Sequence, residues 1–139
     1  MMKTYRRLKD MDLKVTPQRQ AIMRVLDGNR SHPCVESIFH EVHKEFPGIS
    51  LATVYNTLST FAKAGQIQEL DIDPTKKRFD PCLAPHGHFY CNVCRKVFDI
   101  PHDKFLLGDT SLQKKLDGFH IDTIQINLKG VCKDCRKKR

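Results

Sequence analysis

The stretch Pro85-His86-Gly87-His88-Phe89-Tyr90-Cys91-Asn92-Val93-Cys94 places two histidines and two cysteines within ten residues. Cys91 and Cys94 have the CxxC spacing, and Cys132 and Cys135 repeat it near the other end of the chain. Two CxxC pairs suit tetrahedral Zn2+, because each pair supplies two thiolates from one tight turn and four thiolates complete the shell. We therefore predict a structural Zn2+ that ties these two segments together.

The alternatives for these cysteines are a redox-active CxxC and free buried thiols. The sequence has no signal-peptide pattern and no apolar run near the ~20 residues that span a bilayer, so we expect a cytoplasmic protein with no membrane partner. In that compartment six cysteines favour metal or redox use over disulfides. The matched spacing of the two pairs favours zinc. Cys34 and Cys82 belong to neither pair.

The net charge of the 139 residues is +8, which is compatible with nucleic-acid binding. Two clusters of basic residues lie near the two ends of the chain. The N-terminal cluster includes Arg19, which we treat as a candidate DNA contact. The C-terminal cluster occupies the last seven residues and is equally well explained as a solubilising tail, so charge alone does not establish DNA binding.

The N-terminal half has the pattern of three helices and a hairpin. Thr16-Pro17 and Ser50 predict two helix starts, and Ser31-His32-Pro33 predicts a third. Two short extended runs joined by residues 73–76 predict the hairpin. This order is typical of a winged helix-turn-helix domain, which we assign to residues 1–81.

In such a domain the third helix enters the major groove of double-stranded DNA. Residues 50–58 place small and polar side chains away from the apolar face, where they could contact phosphates or bases. The predicted contacts there are Ser50, Thr53, Tyr55, Asn56 and Thr57. The alternative is a small three-helix domain that does not bind DNA.

Residues 82–88 are predicted to form a hinge, because Pro85 and Gly87 lie within it. Residues 89–139 are predicted to form a small α/β dimerisation domain, with a helix over 104–116. Apolar residues alternate from Phe119 to Leu128 but change phase near Thr123, which predicts one strand with a bulge there. A strand that is apolar on both faces requires cover on both, so we expect a homodimer. The fold class is therefore α+β.

A second group of polar residues could bind a different metal. It contains three imidazoles, two carboxylates and no thiolate, which suits Fe2+, Mn2+ or Zn2+. In an extended segment His86 and His88 would point to the same side. Each residue also has an ordinary explanation, such as a helix cap or a strand end, so only the set supports a metal site. The set is His32, Asp80, His86, His88 and Asp99.

Over essentially its whole length the chain resembles the ferric uptake regulator superfamily of bacterial metal-dependent repressors. The resemblance rests on several short motifs, beginning with Thr16-Pro17-Gln18-Arg19, Ser31-His32-Pro33 and Ala52-Thr53-Val54-Tyr55. The remaining motifs are Arg78-Phe79-Asp80, His86-Gly87-His88, and Gly130-Val131-Cys132 with Cys135. It implies that the four paired cysteines bind structural zinc, that the His/Asp set binds a regulatory Fe2+ or Mn2+, and that Tyr55 and its neighbours form the recognition helix.

Two positions resemble the peroxide-sensing (PerR-like) branch of that superfamily. Asp99 stands where iron sensors usually have Glu, and Asn56 where they tend to have Arg. The resemblance then implies a transcriptional repressor in which peroxide oxidises His32 and His86, which releases DNA. The alternative is an iron or other divalent-metal uptake regulator that does not sense peroxide. Ser59 departs from the basic residue that many relatives have.

Two other classes remain open. A mononuclear non-haem iron enzyme could use a similar donor set, although the sequence shows no general base or cofactor motif, so we expect no enzymatic activity. A zinc-ribbon interaction protein would contain only the cysteine site.

Overall fold

The computed structural model describes residues 8–10, 12–84, 86–101, 116–121 and 124–138. The chain divides into two compact units, Met1–Leu83 and Ala84–Arg139, with the boundary inside the stretch 82–88. Among the described residues, none of the helices combines the length and the apolar character that crossing a bilayer requires.

Three helices form most of the first unit: α1 (Pro17–Leu26), α2 (Val35–Glu45) and α3 (Leu51–Lys63). Thr16 caps α1 and Ser50 caps α3, each accepting a hydrogen bond from a backbone N–H three residues ahead. The predicted start of α2 at residues 31–33 is wrong, because the helix begins at Val35. The residue before a proline avoids the helical region, and His32 instead has a φ of 54°.

The core of this unit is formed by the inward faces of the three helices. Val54, Leu58 and Phe61 of α3 are fully buried, as are Ile22 of α1 and Ile38 of α2. The hairpin that follows pairs β1 (Gln68–Leu70) antiparallel with β2 (Arg78–Asp80). Its Phe79 joins the same core. Three helices followed by a hairpin form the predicted winged helix-turn-helix fold, in which the hairpin is the wing.

The second unit contains a three-stranded sheet. The central strand β3 (His86–Cys91) pairs antiparallel with β4 (Val97–Pro101) and parallel with β5 (Asn127–Gly130). A short helix, α4 (Lys133–Lys137), follows β5. Residues 86–88 of the predicted hinge therefore belong to the sheet, since they pair with β4 and begin the pairing with β5.

The predicted strand from Phe119 to Leu128 is wrong over most of its length. Among the described residues of this stretch, strand pairing begins only at Asn127, which lies opposite His88 of β3. Phe119 and Ile124 are exposed, at 68% and 50%. The bulge predicted at Thr123 lies outside the described residues, as does the helix predicted over 104–116 apart from Leu116.

Replacing Leu58 tests the packing that holds α3 in place. We expect Leu58→Ala to lower the free energy of unfolding of this unit by about 2–5 kcal/mol, because it leaves a cavity in a fully buried position. The matched control is Lys63→Ala, at the exposed end of the same helix. Urea unfolding followed by circular dichroism measures both variants, and equal stabilities would contradict this packing.

Candidate metal centres and nucleic-acid interface

The four paired cysteines converge at one end of the second unit. The sulfurs of Cys91, Cys94, Cys132 and Cys135 all lie within 4.8 Å of one another. The Sγ atoms of Cys94 and Cys132 are 3.8 Å apart. Sulfurs bound tetrahedrally to zinc at about 2.3 Å lie about 3.8 Å apart. The four predicted zinc ligands therefore lie close enough together for one ion, and the Cys94–Cys132 distance matches that of a tetrahedral site.

Strand pairing brings the two cysteine pairs together. Parallel pairing of β3 with β5 sets Cys91 opposite Gly130, and Asn92 N–H donates to Gly130 O at 2.7 Å. The second pair follows directly, with Cys132 as the N-cap of α4. Arg95, with a φ of 62°, turns the chain after the first pair. Both pairs consequently lie at the same end of the sheet.

The thiols of this cluster differ in acidity. Burial acts to raise the pKa of Cys91, but backbone N–H groups of Cys132, Cys94 and Val93 lower it to about 6. For Cys135, a hydrogen bond with Cys132, followed by burial, raises the pKa to about 12. One thiol thus ionises readily and another resists ionisation. Because Zn2+ binds thiolates, a divalent cation supplies the charge that lets all four ionise together.

Two of the predicted regulatory residues meet inside the first unit. His32 Nε2 lies 3.6 Å from Asp80 Oδ2, and the two side chains are only 1% and 3% exposed. This distance is too long for a hydrogen bond. Two donors bound to one ion at about 2.1 Å lie about 3.0–3.5 Å apart, close to the spacing observed. The pair has the chemistry and the approximate spacing of half of a metal site.

The loop before α2 and the strand β2 bring these two residues together. Phe79 N–H donates to Pro33 O at 2.9 Å, and Arg78 Nη1 donates to His32 O at 3.1 Å. Asp80 Oδ1 accepts the Cys82 N–H at 2.9 Å, which fixes the orientation of its carboxylate.

The other three predicted regulatory residues meet inside the second unit. His86 and His88 lie on one face of β3, as predicted, and β4 places Asp99 opposite His88. Their Nε2 atoms lie 3.3 and 3.6 Å from Asp99 Oδ1. His86 Nδ1 is 2.6 Å from Ala84 O, and since a carbonyl only accepts, Nδ1 carries the proton. When this ring is neutral, a proton on Nδ1 leaves the lone pair on Nε2, which is the tautomer that binds metals through Nε2.

Imidazole and carboxylate donors without thiolate suit Fe2+, Mn2+ or Zn2+, so the chemistry of both groups fits the predicted regulatory ion. We call them the His32–Asp80 pair and the His86–His88–Asp99 group. That the two bind a single shared ion stays a prediction.

The predicted DNA contacts differ in how far they are exposed. Tyr55 is 42% exposed on α3, and Asn56 beside it is also exposed. Several hydroxyls are used within the helix instead: Ser50 Oγ accepts the Thr53 N–H at 3.0 Å, and Thr57 Oγ1 donates to Thr53 O at 2.8 Å. Tyr55 and Asn56 are therefore the best placed of the set to contact another molecule.

Arg19 has a local partner as well. Its Nη1 donates to Lys14 O at 3.0 Å, so this guanidinium braces the segment before α1. The part it has in DNA binding stays a prediction.

Sequence reasoning did not assign a role to a buried ion pair in the wing. Arg78 Nε and Nη2 each lie 3.0 Å from Asp73 Oδ2. Burial acts to raise the pKa of Asp73, but hydrogen bonds from Thr75 and Arg78 outweigh it, and the pKa lies below its usual value. The sequence signal was an acid in the predicted turn, Asp73, and a base in the extended run that follows it, Arg78.

Comparison with known proteins places the chain in a family. The profile described as the ferric uptake regulator family matches residues 10–129. This protein belongs to the ferric uptake regulator family. A Bacillus subtilis family member named peroxide operon regulator is 34% identical over 131 residues, which cover 94% of this chain and 90% of that protein.

Two further relatives belong to the same branch. The Staphylococcus epidermidis protein named peroxide-responsive repressor PerR is 35% identical over 131 residues, covering 94% of this chain and 87% of its own. The crystal structure of the Campylobacter jejuni peroxide stress regulator superposes with a TM-score of 0.75 at 31% identity. That match covers 92% of this chain and 96% of the other. The fold and the family expected from the motifs are confirmed.

Removing one thiolate tests the zinc site of this family member. We expect Cys135→Ser to lose bound zinc and to unfold the sheet of the second unit, because zinc coordination contributes on the order of 10 kcal/mol to folding in small zinc peptides. Metal analysis after dialysis against a chelator, with circular dichroism, provides the measurement. Cys82→Ser is the control, since Cys82 is exposed and outside the cluster. Full zinc retention in Cys135→Ser would rule out this ligand set.

Proposed function

We propose that this protein is a metal-dependent transcriptional repressor of the PerR-like type, which binds an operator in double-stranded DNA and senses peroxide through a regulatory Fe2+ or Mn2+. The observation that carries the proposal is the pairing of imidazole with carboxylate in both units. The His32–Asp80 pair is almost completely buried. The relatives named as peroxide regulators support the choice of branch, as do Asp99 and Asn56 in the sequence.

The chain's own residues would do three things in this function. His32 and Asp80 would hold the ion from the DNA-binding unit, and His86, His88 and Asp99 would hold it from the other unit. Tyr55 and Asn56 would contact DNA. The bound ion supplies positive charge between the donors and reactivity towards peroxide. Metal affinity and DNA affinity would then be linked, each raising the other by the same factor.

We also infer a cytoplasmic homodimer. Leu116, Phe119, Ile124 and Leu128 of the second unit are all more than 40% exposed. Large exposed apolar side chains that cluster in one small unit are typical of a surface that another protein covers. A dimer would present two recognition helices to half-sites about 34–36 Å, or a multiple of that distance, apart.

The variant His32→Ala tests the link between metal and DNA. We expect it to weaken Mn2+-dependent DNA binding while leaving the dimer and its zinc intact, because it removes one donor from the regulatory site alone. Fluorescence anisotropy of a labelled operator fragment, with and without Mn2+, measures the effect.

The control for this variant is His40→Ala, which removes an exposed histidine from α2. A His32→Ala protein with an unchanged response to Mn2+ would disprove the proposed regulatory role.

Peroxide treatment separates this function from that of an iron uptake regulator without peroxide sensing. With Fe2+ bound, we expect hydrogen peroxide to add one oxygen atom to peptides containing His32 or His86 and to abolish DNA binding. With Mn2+ bound, neither change is expected. Peptide mass spectrometry reports the modification. Unmodified histidines with retained DNA binding would favour the iron regulator, which the family description also accommodates.

A mononuclear non-haem iron enzyme remains the rival of a different class. It predicts turnover of a small substrate and no operator binding, whereas the regulator predicts binding without turnover.

A further inference from the structure

The loop that carries His32 has a backbone conformation that is unfavourable unless neighbouring residues stabilise it. His32 has a φ of 54°, in the left-handed region that residues other than glycine rarely adopt. That conformation is unfavourable for a residue with a Cβ, because the Cβ comes too close to the following carbonyl oxygen. Contacts from the rest of the unit must therefore hold His32 in place, and their identity decides which residues present this imidazole.

Hydrogen bonds hold the loop on both sides of His32. Asn29 Oδ1 accepts hydrogen bonds from both the N–H and the hydroxyl of Ser31, at 2.9 and 2.6 Å. Phe79 N–H donates to Pro33 O at 2.9 Å. These bonds fix the residues before and after His32. The carbonyl of His32 itself is held by a side chain, Arg78, through Nη1 at 3.1 Å.

Arg78 is in turn immobilised by Asp73. Its Nε and Nη2 both donate to Asp73 Oδ2 at 3.0 Å, and its side chain is only 13% exposed. The other oxygen of Asp73 accepts from the N–H and hydroxyl of Thr75, at 2.9 and 2.7 Å. The guanidinium therefore bridges two acceptors, which are the carboxylate of Asp73 in the turn of the wing and the backbone carbonyl of His32. A lysine could not make both contacts with a fixed geometry.

We propose that Arg78, fixed by Asp73, is a positioning residue that holds His32 ready to bind the regulatory metal and connects the turn of the wing to that donor. This inference rests on the proposed function. It adds that the wing supports the His32–Asp80 pair. A different role, in which Asp73 and Arg78 only stabilise the hairpin, would leave the metal affinity unchanged.

Two variants weaken the connection at different points. Arg78→Lys keeps the positive charge but removes the planar guanidinium, whose separate N–H groups contact Asp73 and His32. Asp73→Asn keeps the shape of the side chain but removes the negative charge that orients the guanidinium. We expect each to weaken Mn2+ binding about 10-fold, the low end of the loss seen when a partner that orients a metal ligand is removed. Lys77→Ala is the control, because Lys77 lies next to Arg78 but is exposed and pairs with Glu69.

The measurement uses the full-length, zinc-loaded protein. Electron paramagnetic resonance of free Mn2+ during a titration gives the dissociation constant, and metal analysis confirms that zinc content is unchanged. An Arg78→Lys protein that binds Mn2+ as tightly as the parent would overturn the inference. Should Arg78→Lys not fold, Asp73→Asn decides the question on the same criterion.

A double-mutant cycle distinguishes positioning from general stability. If Arg78 acts through His32, adding Arg78→Lys to His32→Ala should cause no further loss of Mn2+ affinity. An additive loss would mean that Arg78 acts elsewhere. A second readout needs no metal at the regulatory site: the Cα and Cβ chemical shifts of His32 should leave their left-handed values in Arg78→Lys, and unchanged shifts would count against the inference.

Mn2+ binding by the parent protein distinguishes failure of the proposed function from failure of the role given to Arg78. A parent that binds zinc and no second ion would overturn the proposed function and this inference with it. Suppose instead that the parent binds Mn2+ and that Mn2+ strengthens its DNA binding, while Arg78→Lys and Asp73→Asn bind Mn2+ as tightly as the parent. That result would overturn only the role of Arg78.

Discussion

Backbone pairing at two strands is the constraint on which the rest of this protein depends. In the first unit, the hydrogen bond from Phe79 N–H to Pro33 O holds the loop before α2 against β2, which places His32 close to Asp80. In the second unit, β3 pairs on one side with β4, which supplies Asp99. On its other side it pairs with β5, which leads to the second cysteine pair. Backbone hydrogen bonds bring these metal-binding types of side chain together, and bonds such as that from Cys82 N–H to Asp80 Oδ1 then orient them.

Burial determines what the two buried carboxylates of the first unit, Asp73 and Asp80, require from their neighbours. A carboxylate moved away from water loses several kcal/mol of hydration, which a nearby positive charge must offset. Asp73 has such a charge in Arg78, and hydrogen bonds from Thr75 together with Arg78 outweigh the effect of burial and hold its pKa below the usual value. Asp80 is equally buried, and its neighbour is an imidazole at 3.6 Å, a group that also serves as a metal ligand. The two buried acids thus represent different solutions, one structural and one suited to a bound ion.

The interior of the winged-helix unit could largely be predicted from its sequence. Pro17, Ser50 and the apolar spacing of α3 set helix positions through local effects, which need no distant partner. The errors have local causes too. The start of α2 was misplaced because His32 adopts a left-handed conformation that no pattern indicates. The last strand was overextended because alternation shows which residues could form a strand, whereas a strand forms only where its backbone pairs with a neighbour, and among the described residues this pairing begins at Asn127.

The same division applies to the candidate sites. The sequence was sufficient to predict a set of metal donors and their type, since two CxxC pairs and a set of histidines and aspartates are chemical properties of the residues themselves. It was also sufficient to indicate the family, which the profile match confirmed. It could not show that Arg78 joins Asp73 to the His32 carbonyl 46 residues away. That contact depends on the three-dimensional approach of separate segments, which residue spacing along the chain does not encode.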